Sequence, residues 1–480
     1  MATEEMEKDG SEYMDGAQFQ FMFPFKLKDN VNKKLIRSLL EDDFEFFYLK
    51  NLEQESKFYG DHKVSHRSLE QFFLPNIENI LFPTSIHKQE CLRRFSKTIN
   101  LHCELTSKKI KTPFDILSLD IIICPYQIGI MNIRVVLPKR MSLSDTLQFS
   151  DEFRVMEPII DDDQTHRILY NDQSFDKVRD FIFTILCSNI RRYIDDEDQN
   201  SSYFGSLPFF MDERMYVISY ISMEEDSTVT PTELFRIGHL YGYSDDGSPL
   251  IGANNPEYIK RYYEKNVHDR WADETYYVVS DYTFSCVTKS QNDKLQEVLS
   301  NAMYGKHFYS ILLYFFYKIV LMKLTYEQSE IKIDKDQDRI EDLIVKITTF
   351  SSRYFSPEVN SSTHGKEIFQ IVKNVYQIDY LYNHVKKTLE TQYQNHEKLT
   401  SKRHNYLLQI LTIYTVISGI YGMNLVIEDW KGEIKWEAIW SYTFFEWISF
   451  LVAISGIVVG MILGIHALRK WIVQYLRNND

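Results

Sequence analysis

Four side chains carrying oxygen donors stand at helical spacing in an otherwise apolar run: Asn405, Gln409, Thr412 and Thr415, separated by 4, 3 and 3 residues. That spacing stacks them on one side of a helix. Ser418 and Gly419 lie near the continuation of the line. From Tyr406 to Met423 no residue is charged, over 18 positions, which meets the length a helix needs to cross a bilayer. Polar groups facing lipid are costly, so this face must turn toward protein or water. Two roles fit. One is helix–helix contact, in which Ser and Thr also bond their own backbone carbonyls. The other is the wall of a water-filled path, where amide and hydroxyl oxygens hold a hydrated ion and still release it.

The remaining clusters carry less chemistry. Asp334, Asp336 and Asp338 begin like a calcium loop, but Arg339 stands where the loop needs Gly and Val345 where it needs Glu. Asp161, Asp162 and Asp163 with His166, and Asp195, Asp196, Glu197 and Asp198, read as solvated loops, with regulatory divalent binding as the alternative. No zinc-protease helix, nucleotide-binding glycine loop or nucleophile elbow is present. The chain therefore reads as a non-enzyme with no resident cofactor. Among 480 residues, 54 are Lys or Arg and 68 Asp or Glu, a net charge of −14, which argues against nucleic acid as a partner. Five cysteines without a C-x-x-C pair read as reduced thiols, neither a disulfide scaffold nor a zinc site.

The elements that must position the polar face follow from periodicity. Residues 1–16 read as a disordered acidic tail, with no signal peptide. Residues 17–289 read as a cytosolic α/β domain. Phe19, Phe21, Phe23 and Phe25 alternate as on a strand, and Pro24 predicts a sheet edge. Two β-branched runs flank a Cys124-Pro125-Tyr126 turn over 114–137. Further strands are expected at 214–223 and 275–287, and helices at 172–194, 231–240 and 256–265. Residues 290–365 read as a helical region in which the apolar stretch 308–316 is a buried face, since Lys318 and Lys323 cut it short of a span.

No Gly or Pro occurs between Lys366 and Ser418. A 3-4 seam runs through Ile371, Val375, Ile378, Tyr382, Val385, Leu389, Gln392, His396, Leu399, Arg403, Tyr406 and Ile410, nine of them apolar. This predicts a stalk helix over 366–405 continuing into a first transmembrane helix at 406–424, about 87 Å long if unbroken to 423. A loop follows at 425–446, then a second span at 447–468 with a ridge of Gly456, Gly460 and Gly464 for close helix packing. Residues 469–480 are a basic tail. Lys398, Lys402 and Arg403 before the first span, and Arg469, Lys470 and Arg477 after the second, place both termini in the cytoplasm. One two-helix hairpin cannot enclose a pore, so a pore requires a ring of copies.

The first span ends in Tyr421-Gly422-Met423-Asn424. This motif at the end of a penultimate span, after a long stalk helix and before one more span and a basic tail, resembles the CorA-type magnesium transport family over about 366–480. The resemblance implies an α+β membrane protein forming a funnel-shaped homopentamer in the plasma membrane, in a bacterium the inner membrane. It implies that the first span lines a central pore through Asn405, Gln409, Thr412, Thr415 and Gly419. Gly422 and Met423 hold the turn at the outer mouth, where an Asn424 ring meets the hydrated ion. Mg²⁺, which sheds its waters reluctantly, would be the cargo, with Co²⁺ or Ni²⁺ also admitted, and also a regulatory ligand. The partners are the lipid bilayer, divalent cations and other copies of the chain.

The chain departs from the family pattern in three ways. It is longer than typical members. Ile413 stands near the place of the family's proline. Lys398 sits in the inner pore region. The family's acidic sensor positions are not assignable here, though Asp379, Glu390 and Glu397 are stalk acids. The alternatives are a zinc transporter of the same superfamily and a membrane-anchored sensor that transports nothing.

Overall fold

The computed structural model describes residues 12–157, 166–195, 214–331, 336–424 and 436–448, and beyond these residues 450, 451, 454, 455, 458, 462, 465 and 469. The chain forms two compact units: residues 1–331 with 341–389, and residues 332–340 with 390–480.

The first unit is built on one large mixed sheet. Its strands are β1 (Met14–Lys26), β2 (Glu45–Phe46), β3 (Arg93–Thr106), β4 (Lys111–Cys124), β5 (Ile128–Leu137), β6 (Arg167–Tyr170), β7 (Gln173–Phe175), β8 (Tyr216–Met223), β9 (Val267–Ala272), β10 (Thr275–Val279) and β11 (Thr283–Thr288). They run in the order β7-β6-β3-β4-β5-β1-β8-β11-β10-β9, with β2 paired to β3. Among the described strands every pairing is antiparallel except β8 with β11. An α+β architecture therefore replaces the α/β reading of this part.

Both faces of the sheet are covered, so central strands such as β5 and β8 are buried almost throughout. Phe19, Phe21, Phe23 and Phe25 share one core with helices α1 (Asn32–Glu41), α5 (Leu143–Phe153), α6 (Val178–Phe181) and α7 (Pro231–His239), to which Phe149, Phe153, Leu234 and Ile237 belong, whereas α3 (His66–Phe72) and α4 (Pro75–Leu81), which follow the single turn α2 (Gln54–Lys57), pack into the opposite core through Leu69, Ile77 and Leu81. α8 (Pro256–Asn266) follows α7 and starts, like it, on a polar cap and a proline, Thr230-Pro231 and Asn255-Pro256. The opposite core holds Met22, Ile130, Ile218 and Phe284 beneath α9 (Asp293–Tyr304), α10 (Lys306–Ser329), α11 (Gln337–Thr349) and α12 (Thr363–Val375).

Several expectations are corrected. β1 lies between β5 and β8, not at an edge. Pro24 is tolerated because the β8 partner ends at Met22, so its missing N–H faces no neighbour on that side. The strand starts at Met14, inside the stretch expected to be disordered; residues 1–11 lie outside the described residues. The helix expected at 172–194 is β7 followed by a short turn of helix from Val178, a π-turn over Ile182–Leu186 and a 3-10 turn at Arg191–Tyr193. The run 275–287 is a hairpin of two strands. The Cys124 hairpin turns through Tyr126 and Gln127 with φ of 62° and 58°.

α10 is the apolar stretch at 308–316, and it is a core helix. The combined segment Asp293–Ser329 is long and apolar enough to cross a membrane, yet 78% of its apolar window is buried inside protein. Beneath it sits a buried ion cluster. Arg134 donates from Nη1 to Asp120 Oδ1 at 3.0 Å and from Nη2 to Oδ2 at 2.6 Å. Arg94 Nη2 lies 3.1 Å from Asp120 Oδ1, and its Nη1 donates to the hydroxyls of Tyr59 at 3.0 Å and of Tyr309 on α10. Burial pushes the Asp120 carboxyl up, but the two guanidiniums and the bonds from Arg134 and Asn132 overcome that and hold it at about 2.

Candidate functional site

The helix that carries the polar face is α13 (Ile378–Asn424), 47 residues and about 70 Å long. It belongs to the first unit through Leu389 and to the second from Glu390. The uninterrupted helix expected from 366 is broken at Tyr376–Gln377, where Gln377 takes a left-handed φ of 54°. Tyr376 packs against Tyr216, ring centroids 5.7 Å apart, and Ile378 is fully buried. Anchoring the residues on both sides of Gln377 outweighs about 1–2 kcal/mol of local strain. The first part of the 3-4 seam, Ile378, Val385 and Leu389, is core of the first unit, and Gln328 of α10 donates to the Val385 carbonyl at 2.9 Å. Asp379 is paired with Lys373 at 2.9 Å.

The polar residues all lie in the second unit. Asn405, Gln409, Thr412, Thr415 and Gly419 are all exposed. Thr412 Oγ1 donates to the Leu408 carbonyl and Thr415 Oγ1 to the Leu411 carbonyl, each at 2.7 Å. Each hydroxyl proton is thereby used inside the helix. The outward oxygen keeps lone pairs free, and such an atom can accept from the waters of a hydrated cation.

The packing face lies elsewhere. Tyr414 Oη donates to Ser455 Oγ at 3.2 Å, joining the first apolar segment to the second. At about 100° per residue, Thr412 and Asn405 lie about 160–180° around the helix from Tyr414, and Gln409 and Gly419 about 140° from it on either side. Thr415 lies about 100° away. A Cβ built on Gly419 would meet nothing within 4 Å. Among the described residues the bond between the two segments is made by Tyr414 and not by the polar stripe.

The described apolar residues of this helix end are bare. Leu407, Leu408, Ile410, Leu411 and Ile413 are all more than half exposed. In the second segment Phe444, Phe445, Leu451, Ile462 and Ile465 are likewise exposed. The second helix opens at a cap in which Glu446 accepts from the Thr443 N–H at 2.7 Å and from its hydroxyl at 2.8 Å. Those two bonds hold the Glu446 carboxyl below its ordinary range, so this residue caps the helix start. Lys398 and Lys402 are exposed before the apolar stretch.

The backbone of Gly422, Met423 and Asn424 is helical, as the end of α13, where the resemblance implies a turn; their side chains lie outside the described residues. Also outside them are Gly456, Gly460 and Gly464 and residues 425–435 of the loop. Tyr414 and Ser455 were missed in the sequence. The signal was present: a tyrosine in an apolar run on the side opposite the oxygen donors, and a small hydroxyl residue next to the glycine ridge. Among the described residues no grouping of three or more His, Cys, Asp or Glu side chains is disposed to hold a metal. Comparison with protein-family models, curated proteins and solved structures found no match.

Proposed function

We propose that this protein is a homo-oligomeric, channel-like transporter of divalent cations, Mg²⁺ foremost, resembling the CorA-type family. In this reading it crosses the plasma membrane twice near its C-terminus with both termini cytoplasmic. The observation that carries the reading is the division of α13 into faces. Its apolar residues beyond Tyr406 lie bare, as lipid-facing side chains would, while the face opposite the Tyr414–Ser455 contact carries oxygen donors that no described neighbour covers. A ring of such faces, one from each copy, would line a path wide enough for a hydrated ion. Asn424 supplies the outer ring, and Thr412 and Thr415 supply acceptors below it. Inward movement of a divalent ion would be driven by the membrane potential, at about 4.6 kcal/mol per 100 mV.

The test is Mg²⁺ flux into proteoliposomes of the purified protein under an inside-negative potential. Potential-driven uptake that falls to background in Asn424→Ala, with assembly unchanged, is expected. Uptake of Zn²⁺ alone, following a pH gradient, would assign the protein to zinc transport instead. No flux of any ion would leave the hairpin as an anchor and overturn the reading.

A further inference from the structure

Three histidines from three different elements meet around one tyrosine ring at the β9 end of the sheet. The centroid of Tyr277 on β10 lies 5.2 Å from that of His307 on α10, 5.9 Å from His364 on α12 and 6.4 Å from His268 on β9. His268 and His364 are 5.1 Å apart. Trp271 lies against His364 at 4.6 Å, and Phe369 of α12 against His307 at 5.8 Å. His307 is 1% exposed. Neither of its ring nitrogens has a hydrogen-bond partner, nor has Nδ1 of His268.

The charges around this pocket are unbalanced. α10 contributes Lys306, whose ammonium sits over the rings of Phe72 and Trp271. β9 contributes Arg270, and α12 contributes Glu367. That carboxylate is already engaged, accepting from Arg270 and facing His268 Nε2 at 3.1 Å. Lys366 of α12 is turned to Glu358. The neighbour of Tyr277 on β11 is Cys286, a buried neutral thiol. No anion among the described groups is therefore left to receive a proton-borne charge on His307 or His364.

We propose that this pocket is a proton-operated latch, holding α12 against the sheet while its histidines are neutral and releasing it when they are charged. Burial drives His307 well below its ordinary value, and Lys306, His364 and His268 push it the same way. Burial, His268 and Lys306 bring His364 to about 4, against the opposing pull of Glu367. With α12 undocked both rings meet water and regain the ordinary value near 6.5. The undocked state thus binds protons that the docked state refuses. Docking is fully favoured above about pH 6.5 and weakens as pH falls below it. One unit below that value each ring favours undocking about tenfold, and the two together about a hundredfold. α12 leads through Tyr376 and Gln377 into α13, so release frees the anchored start of that helix. The inference stands independently of the transport reading, because its test follows α12 alone.

The experiment is amide hydrogen exchange of the full-length protein in detergent micelles, corrected for intrinsic exchange, comparing pH 7.5 with pH 5.5. Opening of residues 363–375 should rise about a hundredfold in the native chain and about tenfold in His307→Phe and in His364→Phe, while α9 stays unchanged. Phe suits the aromatic surroundings of both positions. If His307→Phe does not fold, the more exposed His364→Phe decides alone. A native chain whose α12 opening varies less than threefold, or variants with the native pH response, would overturn the latch.

Discussion

α10 and the far end of α13 are alike in composition and opposite in situation. Both are rich in Leu, Ile and Tyr with no charge over many residues. On α10 the side chains from Phe308 to Tyr317 are all buried, against the sheet and against α12. On α13 the residues from Tyr406 to Ile413 lie bare on nearly every side. Apolar composition therefore marks which surfaces must leave water but not what covers them. For α10 the cover is the chain itself. For the end of α13 the described residues of the chain supply little cover.

Substitutions can break or sharpen this contrast. The largest effect is expected beneath α10. Asp120→Asn leaves the guanidiniums of Arg94 and Arg134 buried without their carboxylate, and should cost about 5 kcal/mol in denaturant unfolding of the first unit. The same carboxylate sets an acid limit. With its pKa held at about 2, it stabilises the fold above the ordinary carboxylate range near 4, and that contribution is lost as pH falls toward 2. A native-like midpoint for Asp120→Asn would mean that the aromatic rings around Arg94 and Arg134 carry their charge unaided.

Phe316→Ala on α10 should cost about 4 kcal/mol, the transfer and cavity cost of a fully buried ring. Ile410→Ala, on the bare surface of α13, should leave the same unfolding transition within about 0.5 kcal/mol of native. Equal destabilisation by the two would erase the distinction between the helices.

The smallest effect belongs to the contact between the two apolar segments. Tyr414→Phe deletes the hydrogen bond to Ser455 and should weaken their association by about 1 kcal/mol. Cross-linking between cysteines placed on the two segments would measure it, and an unchanged yield would remove Tyr414 from the packing face.

Much of the fold was legible because periodicity reports how many faces of an element are covered. The phenylalanines of β1 alternate onto one core as read, and the hairpin around Cys124 turns where its Pro and Tyr suggest. β3 was overlooked although Phe95, Ile99, Leu101, Cys103 and Leu105 fall on alternate positions through it; Lys97 interrupts that series, and interspersed charge disguised a strand that is open to solvent through its middle. The stretch 172–194 has the composition of a helix, but Phe175, Phe181 and Ile182 are drawn into the core by neighbours distant in sequence. In the candidate site, the stripe of Asn405, Gln409, Thr412 and Thr415 was legible from spacing alone. The contact of Tyr414 with Ser455 was not, because it depends on where residues distant in sequence meet.

The amino-acid sequence by itself determined several local periods: the alternation of β1, the paired strands around Cys124, the uncharged stretches near the C-terminus, and the single polar side of α13. These follow from the side chain's chemistry and the pitch of the backbone. Only the tertiary structure decided that α13 begins after a left-handed Gln377, and that three histidines separated by up to 96 positions in sequence surround one tyrosine. The reason is physical. Burial, charge imbalance and backbone strain are properties of neighbours in space, and folding chooses those neighbours to satisfy the core as a whole.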